Sequence, residues 1–283
     1  MNSNKYKIEC NPSNDIYNQV VDYVSNTEGW AFQLNDYNIW NNCFDQHWLF
    51  VVLEQESGKF IASLSLAKSQ LQNGQPLYSV AFFYCIKEYR SKGIGKLLFD
   101  KIADIYGSDN VTLFGVGEMW KWYLERYNFN LVQPYFHIGS SIVTQDIVTS
   151  IVPIIKNIDI CDIVLEKVLK FDKTICEMKR DKVVEKWLSA DGVYSKMAVD
   201  ENGVCIGYGE IREVSLNRLV ISPLYANSED VAINILSSIL SVIPNISNFK
   251  SLGAIYPSPN ESMTSDFLYN YNTFPRFLFH RVP

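Results

Sequence analysis

The sequence predicts an α/β (α+β) fold made of two tandem domains, each a central sheet flanked by helices. Apolar runs typical of strands alternate with stretches of helical periodicity along the 283 residues. The order of elements in the first half recurs in the second, and 47% hydrophobic residues suffice for a core in each half. We expect a first domain over residues 1–140, a linker over 141–157 and a second domain over 158–283.

Local patterns predict each element of the first half. Ser13 precedes a helix with an apolar face, and Glu56 to Lys59 has the composition of a hairpin turn. The predicted strands are Tyr6–Cys10, Trp48–Leu53, Phe60–Ala67, Val80–Ile86, Val111–Val116 and Leu131–Ile138. The predicted helices are one from Ser13 through Val24, then Tyr37–Cys43, Gly93–Tyr106 and Glu118–Tyr127.

The most informative stretch joins the apolar run that ends at Ile86 to an amphipathic helix. It consists of Arg90, Ser91, Lys92, Gly93, Ile94, Gly95 and Lys96. A glycine-bearing turn that leads from a strand into a helix N-terminus suits a phosphate, because free amides and the helix dipole attract an anion. A P-loop would need a glycine where Arg90 stands, and a Rossmann fingerprint a small residue where Leu98 stands. Neither motif fits.

Local charge favours an anion at this stretch, within a chain of net charge −6. Five cations stand against Glu88 and Asp100, namely Lys87, Arg90, Lys92, Lys96 and Lys101. A solvated helix face explains some of these lysines equally well.

The pattern Arg/Gln-x-x-Gly-x-Gly/Ala, filled by Arg90, Gly93 and Gly95, resembles the acyl-CoA pyrophosphate loop of the GNAT superfamily of N-acetyltransferases. The resemblance covers roughly Lys5 to Gly139; the alternative is a helix start with two incidental glycines. It implies a mixed sheet, acetyl-CoA as co-substrate without a metal, and a gap where the strands on either side of the loop and helix splay apart. The implied contacts with the cofactor are at Cys85, Ile86, Arg90, Ser91, Lys92, Gly93, Ile94, Gly95 and Lys96.

The resemblance also implies a tyrosine that protonates the departing thiolate, placed shortly before a Gly-Phe pair. Tyr123 is the preferred donor and Tyr127 the alternative, because Asn128 stands in place of the glycine and shifts the register. The alternative is that Tyr123 is a core or interface residue without a catalytic role. No residue is identified as the base. Glu118 is the nearest candidate in sequence, but its position at the start of a helix, where an acidic side chain complements the helix dipole, explains it without a catalytic role.

The second half repeats the order of elements without the loop. Its predicted helices are Ile160–Cys176, Val183–Leu188, Glu229–Val242 and Met263–Tyr271. Its predicted strands are Tyr194–Val199, Val204–Val214, Arg218–Ile221, Leu252–Tyr256 and Phe274–His280. The chain therefore resembles a tandem GNAT protein.

The second phosphate position is unlike the first. Asn227 or Ser228 is expected to cap the helix, and Glu229 and Asp230 occupy its first turn, where two carboxylates would repel a pyrophosphate. We therefore expect no CoA at the second domain. It either forms part of the acceptor pocket or is purely structural.

Composition excludes several function classes. The acidic balance argues against a nucleic-acid partner. The polar stretch 1–14 resembles no secretory signal, and no apolar run approaches the ~20 residues that cross a bilayer, so we expect no membrane partner. Six dispersed cysteines indicate reduced thiols in a cytoplasmic or nuclear protein, and three isolated histidines favour no metal site.

The sequence thus predicts an N-acetyltransferase that moves an acetyl group from acetyl-CoA to a primary amine by direct attack. The acceptor is a small molecule or a peptide; the oligomeric state is left open. Aromatic residues either line the acceptor site or fill a core, namely Trp30, Phe32, Trp40, Trp120 and Trp122. The alternatives are a catalytically inactive CoA-binding or scaffold protein of the same fold and, against the motif mismatches, a different nucleotide-binding module.

Overall fold

The structure, a computed structural model, describes residues 5–117, 119–132, 137–147, 158–257, 269–271 and 275–280. Strands and helices alternate through them, which confirms the predicted α/β class. The strands are β1 Tyr6–Cys10, β2 Gln46–Glu54, β3 Phe60–Leu71, β4 Pro76–Cys85, β5 Asn110–Val116, β6 Leu131–Val132, β7 His137–Val143, β8 Asp159–Cys161, β9 Met178–Lys179, β10 Val193–Val199, β11 Cys205–Val214, β12 Arg218–Ala226, β13 Ser251–Pro257, β14 Tyr269–Tyr271 and β15 Pro275–His280. The helices are α1 Asn14–Glu28, α2 Asp36–Cys43, α3 Ile94–Tyr106, α4 Met119–Tyr127, α5 Thr144–Ile147, α6 Leu165–Ile175, α7 Asp181–Leu188 and α8 Glu229–Val242.

The chain forms two compact units. The first combines Met1–Pro134 with Pro275–Pro283, and the second is Tyr135–Phe274. The first unit has a mixed sheet in the order β1-β2-β3-β4-β5-β15-β6, in which β4 and β5 are parallel and the other neighbours antiparallel. The resemblance had implied such a mixed sheet.

Helices cover both faces of the first sheet, so each face has its own apolar core. On one face, α1 contributes the fully buried Val20, Val21 and Val24, the stripe that its helical periodicity predicts. On the other face, α3 contributes Leu98 and Phe99 to a core shared with α4. The sheet between the two cores holds the strand and loop on which the candidate site is built.

The second unit repeats this architecture. Its sheet has the order β14-β7-β13-β12-β11-β10-β8, and here β12 and β13 form the parallel pair. Helix α8 packs on one face, where Ile235 and Ile239 are fully buried, and α6 packs on the other through Val168. The recurrence that the sequence indicated is therefore a recurrence of fold.

Two predicted strands lie in the sheet opposite to the one expected. The stretch Leu131–Ile138 was expected to close the first sheet, but only β6 does so, and β7 pairs with β13 in the second. The predicted last strand of the second domain is β15, which pairs with β5 and β6 in the first sheet. A strand's own pattern predicts that it joins a sheet and does not specify which open edge receives it.

The expected domain bounds differ from the two units by these exchanged strands. Of the expected linker 141–157, residues 141–147 belong to β7 and α5, and 148–157 lie outside the described residues. The helix expected at Ile160–Cys176 begins at Leu165, after the short strand β8. Of the helix expected at Met263–Tyr271, residues 269–271 form β14, and 263–268 lie outside the described residues.

Candidate functional site

A bulge in β4 shapes the centre of the first sheet. Phe82 and Phe83 together oppose the single residue Leu64 of β3, so one extra residue is inserted into β4. Phe82 has a φ of 55°, a left-handed conformation that is unusual for a bulky residue, and its carbonyl accepts a 2.8 Å hydrogen bond from the buried Ser63 hydroxyl. The bulge turns Phe82 toward α1 and Phe83 toward α3.

The two parallel strands separate at this bulge. Their pairing runs from Leu77 with Asn110 to Val80 with Leu113, whereas β4 continues to Cys85. Over the remaining part of β5 its opposite edge is paired with β15. Among the described residues, the edge of β4 beyond Val80 that faces β5 has no strand partner, which is the opening that the resemblance implies.

The loop after β4 is held in the backbone conformation that a phosphate cradle needs. Ser91 and Gly93 have φ values of 61° and 81°, both left-handed, and α3 begins at Ile94. Among the described residues, no side chain caps the first turn of α3, so its free amides point outward together with the positive end of the helix dipole.

The two glycines serve different purposes. A Cβ on Gly93 would meet no atom within 4 Å, so Gly93 is needed for its left-handed φ. A Cβ on Gly95 would lie 3.0 Å from Cζ of Phe83, so Gly95 is needed for the close packing of α3 on β4.

The cations of the loop are partly engaged within the protein. Arg90 donates from Nε to the Cys85 carbonyl at 2.8 Å, and its Nη2 lies 3.7 Å from the Glu28 carboxylate. Lys96 pairs with Asp100 on α3 at 2.5 Å. The ammonium of Lys92 lies 5.1 Å from the centre of the Tyr89 ring, where a cation–π contact forms.

Of the two strand residues expected at the cofactor, only Cys85 faces the opening. The Ile86 amide donates to the Ile61 carbonyl at 2.9 Å, and the Ile86 carbonyl accepts from the Tyr89 amide at 2.9 Å. The Ile86 side chain is buried. Successive residues of a strand present their backbone groups to opposite edges, so Cys85 is directed toward the gap and Ile86 toward β3.

Tyr123 is the buried residue of α4. It is 5% exposed, its ring lies 5.2 Å from that of Phe99 and 6.3 Å from that of Phe83, and burial raises the pKa of its phenol. The position is that of a core side chain, one ring away from the bulge of β4.

Tyr127 differs from Tyr123 in having its proton engaged. Its hydroxyl donates to the Asp100 carboxylate at 3.1 Å, and burial together with this carboxylate raises the pKa of the phenol. Asn128 follows with a φ of 56°, the left-handed conformation that glycine commonly takes after a helix, so the Asn-for-Gly replacement preserves the local geometry. The base considered earlier, Glu118, lies outside the described residues.

The expected aromatic residues lie on both faces of the sheet. Three rings surround Phe82 on the α1 side, with centroid distances of 4.7 Å for Phe32, 5.9 Å for Trp40 and 6.3 Å for Trp30. Trp120 and Trp122 pack instead on the side of α3. The first three are partly buried, and they form the apolar surroundings of the bulge.

Sequence analysis missed a hydrogen-bonded chain of three side chains that joins α2, β2 and β3. The imidazole of His47 contacts the Asn41 amide oxygen from Nδ1 at 2.7 Å and the Ser65 hydroxyl from Nε2 at 2.8 Å. Three aromatic rings, of Tyr37, Trp40 and Phe44, lie about the imidazole. Burial lowers the pKa of His47 to about 4. These residues have no motif spacing, so no sequence signal joins them.

The start of α8 in the second unit confirms the predicted cap. The Ser228 hydroxyl accepts a 3.3 Å hydrogen bond from the Val231 amide, and Glu229 and Asp230 stand in the first turn. The start of α8 thus carries a capping side chain and two carboxylates, whereas the start of α3 presents free amides.

The described residues contain no group of three or more His, Cys, Asp and Glu side chains that could hold a metal ion. Their helices include none that is long and apolar enough to cross a membrane.

Both halves of the chain match family models. Residues 15–117 match a model described as the acetyltransferase (GNAT) family, and residues 168–245 match one described as an acetyltransferase (GNAT) domain. The first match contains the bulged strand and the glycine loop, and the second contains α8. No curated protein matches the sequence.

Solved structures resemble the whole chain. A candidate acetyltransferase from Pyrococcus horikoshii has a TM-score of 0.70 at 13% identity, over 99% of this chain and 90% of that one. A tandem GNAT protein from the clavulanic acid biosynthesis pathway has a TM-score of 0.67 at 12% identity, over 97% and 98%. The N-myristoyltransferase of Saccharomyces cerevisiae with bound myristoyl-CoA has a TM-score of 0.67 at 8% identity, over 97% and 82%. At such identities the likeness shows the fold alone.

Proposed function

We propose that this chain, which belongs to the GNAT superfamily with one GNAT domain in each half, transfers an acetyl group from acetyl-CoA to a primary amine. The observation that carries the proposal is the uncapped start of α3 beside the open edge of β4. We assign the phosphates of the acyl-CoA to the start of α3 and its amide-bearing arm to the edge of β4.

The diphosphate is assigned to the free amides of the loop from Ser91 to Lys96. Gly93 supplies the backbone conformation and Gly95 the close packing on β4, while Lys92 adds positive charge and Lys96, paired with Asp100, closes the loop. Because Arg90 is bonded to Cys85 and close to Glu28, we assign it the role of holding the loop on the strand.

The arm is assigned to the open edge of β4, from Cys85 toward Ala81. Apart from the Cys85 carbonyl, which Arg90 binds, the backbone groups on this edge have no strand partner among the described residues, and the amides of the arm supply one. Four residues of extended strand span about 13 Å, which brings the thioester near the point where β4 leaves β5. Ile86 contributes through its buried side chain, which anchors the start of the loop.

In the proposed reaction the amine nitrogen attacks the thioester carbonyl, the C–N bond forms and the C–S bond breaks. Tyr123 is the proposed proton donor to the thiolate, since its phenol carries a proton at neutral pH and its ring lies 6.3 Å from that of Phe83 in the bulge of β4. Tyr127 is the alternative, although its proton is shared with Asp100. The alternative is a catalytically inactive protein that only binds CoA. Because it would have the same loop, only an assay for turnover distinguishes it from an enzyme.

Calorimetric titration with acetyl-CoA and with CoA tests the cofactor site. We expect micromolar binding by the wild type and none by Gly93→Glu, which places a carboxylate among the amides. Gly74→Glu is the matched control, because Gly74 also has a left-handed φ (86°) and open space around its Cβ position. A folded wild type that binds neither ligand would contradict the proposal. Binding without release of CoA from any amine acceptor would favour the inactive alternative.

A further inference from the structure

The proposed transferase needs a base for the acceptor amine, and among the described residues the chain Asn41–His47–Ser65 is suited to that task. All three belong to the first unit: Asn41 lies on α2, His47 on β2 and Ser65 on β3. His47 and Ser65 are 8% and 4% exposed, whereas Asn41 is exposed. The chain of contacts thus runs from the surface into the sheet.

The hydrogen-bond partners of His47 determine which of its two ring nitrogens carries the hydrogen. The Asn41 amide oxygen can only accept, so Nδ1 of His47 carries the hydrogen and donates it over 2.7 Å. Nε2 then has a lone pair, and the Ser65 hydroxyl donates to it over 2.8 Å. The lowered pKa of His47 keeps the imidazole neutral at pH 7 and the lone pair available. This is the arrangement by which a histidine, oriented by a third group, draws the proton from a hydroxyl.

The hydroxyl is on β3, the neighbour of the strand that borders the opening. Ser65 pairs directly with Ala81 of β4, and paired residues of antiparallel strands have neighbouring side chains on the same face. Ala81 is the residue after Val80, the last one paired with β5, and it is exposed although Val80 and Phe82 on either side are buried. The Ser65 side chain therefore lies beside that of the exposed Ala81, one strand away from the gap in which the proposed thioester ends.

We propose that Ser65 and His47 relay the proton of the attacking amine, with Asn41 fixing the tautomer; this rests on the proposed transferase function. As the C–N bond forms, the amine proton passes to the Ser65 oxygen and the hydroxyl proton of Ser65 passes to Nε2 of His47. The C–S bond breaks and the thiolate takes a proton from its own donor. The imidazolium then returns its proton to solvent, so the relay ends as it began.

Steady-state kinetics on the full chain tests the relay, with release of the CoA thiol as readout and a panel of primary amines as acceptors. Ser65→Ala is expected to lower kcat about 100-fold and to leave the Kd for acetyl-CoA unchanged. Ser65→Thr keeps a hydroxyl and is expected to recover most of that loss. Ser69→Ala is the matched control, since Ser69 is a buried serine four residues along β3 on the same face, and it is expected to match wild type.

Non-additivity separates a relay from a structural role. His47→Gln and Ser65→Ala should together cost no more kcat than the larger single loss, because the two residues act as one unit. Should Ser65→Ala not fold, Asn41→Ala at an exposed position leaves the core intact and should lower kcat about 10-fold. Wild-type kcat in Ser65→Ala, or equal loss in Ser65→Thr, would overturn the relay alone. A wild type that turns over no amine would instead overturn the transferase and the relay with it.

Discussion

Arg90 binds the strand that precedes its own loop: its Nε donates to the carbonyl oxygen of Cys85 at 2.8 Å. The same guanidinium lies 5.5 Å from the ring centre of Tyr84 and 3.7 Å from the Glu28 carboxylate, which itself accepts from the Tyr84 hydroxyl at 2.9 Å. The first residue of the glycine loop is thereby tied to the end of β4 and to the last residue of α1. Its side chain positions the loop and leaves anion binding to the backbone amides.

This geometry predicts how replacements of Arg90 differ. Arg90→Gln keeps a donor for the Cys85 carbonyl and should change the Kd for acetyl-CoA less than threefold. Arg90→Ala removes a hydrogen bond from a charged group, and a loss of about 1.5 kcal/mol in loop preorganisation would weaken binding about tenfold. Calorimetric titration of both variants measures this. An equal loss in both would show that the charge of Arg90, rather than its bond to β4, contributes to binding.

The two tyrosines of α4 are expected to respond differently to loss of their hydroxyl groups. Tyr123→Phe retains the packing with Phe99 and should lower kcat 100-fold or more, because a general acid contributes at least that much. Tyr127→Phe should mainly lower stability, by about 1 kcal/mol, through its lost bond to Asp100. Turnover assays and thermal denaturation of both variants separate the two effects. Unchanged kcat in Tyr123→Phe would make Tyr123 a core residue only.

Because His47 is buried in its neutral form, we expect the stability of the fold to decrease in acid. Its pKa is lowered to about 4 by burial, against about 6.5 in the unfolded chain, so between these values the unfolded state binds a proton that the folded state does not. Stability is therefore complete above pH 6.5 and falls as the pH drops to 4, by about 3 kcal/mol.

The measurement for His47 is the urea midpoint from pH 7 to pH 4 for wild type and His47→Gln. The variant loses this titration and should show a flatter profile, while carboxylates contribute equally to both proteins. Parallel profiles would contradict the assignment of the acid sensitivity to His47.

In the second unit, the buried carboxylate of Asp172 is expected to contribute strongly to stability. It accepts from Arg180 through both oxygens, at 2.7 and 2.9 Å, and from the Tyr208 hydroxyl at 2.5 Å, and it is 3% exposed. Asp172→Asn leaves the largely buried guanidinium without its charge partner and should cost about 3–5 kcal/mol.

The matched control for Asp172 is Asp181→Asn. Asp181 pairs with Lys173 at 2.8 Å at the surface, where an ion pair contributes less than about 1 kcal/mol. Chemical denaturation should show a large shift of the transition for the first variant and a small one for the second. Equal shifts would mean that burial does not decide the value of these ion pairs.

The sequence by itself determined the parts of the site that depend on local order. The apolar run of β4, the glycine-bearing turn at Gly93 and the amphipathic helix α3 are each specified by residues adjacent in the chain, because turn chemistry and helical periodicity are local properties. The cap of α8 is equally local: the sequence predicts Asn227 or Ser228, and Ser228 forms it. The recurrence of the fold in two halves was also predicted correctly.

Only the tertiary structure decided which strands and side chains meet. β15 completes the first sheet and β7 the second, because any open edge of a sheet satisfies the same backbone groups. The bulge at Phe82 depends on the register with β3, and the burial of Tyr123 depends on how α4 packs. His47 and Ser65 are 18 positions apart in the sequence. They meet because β2 and β3 pair in one register, and pairing across strands is not encoded in the spacing of residues along the chain.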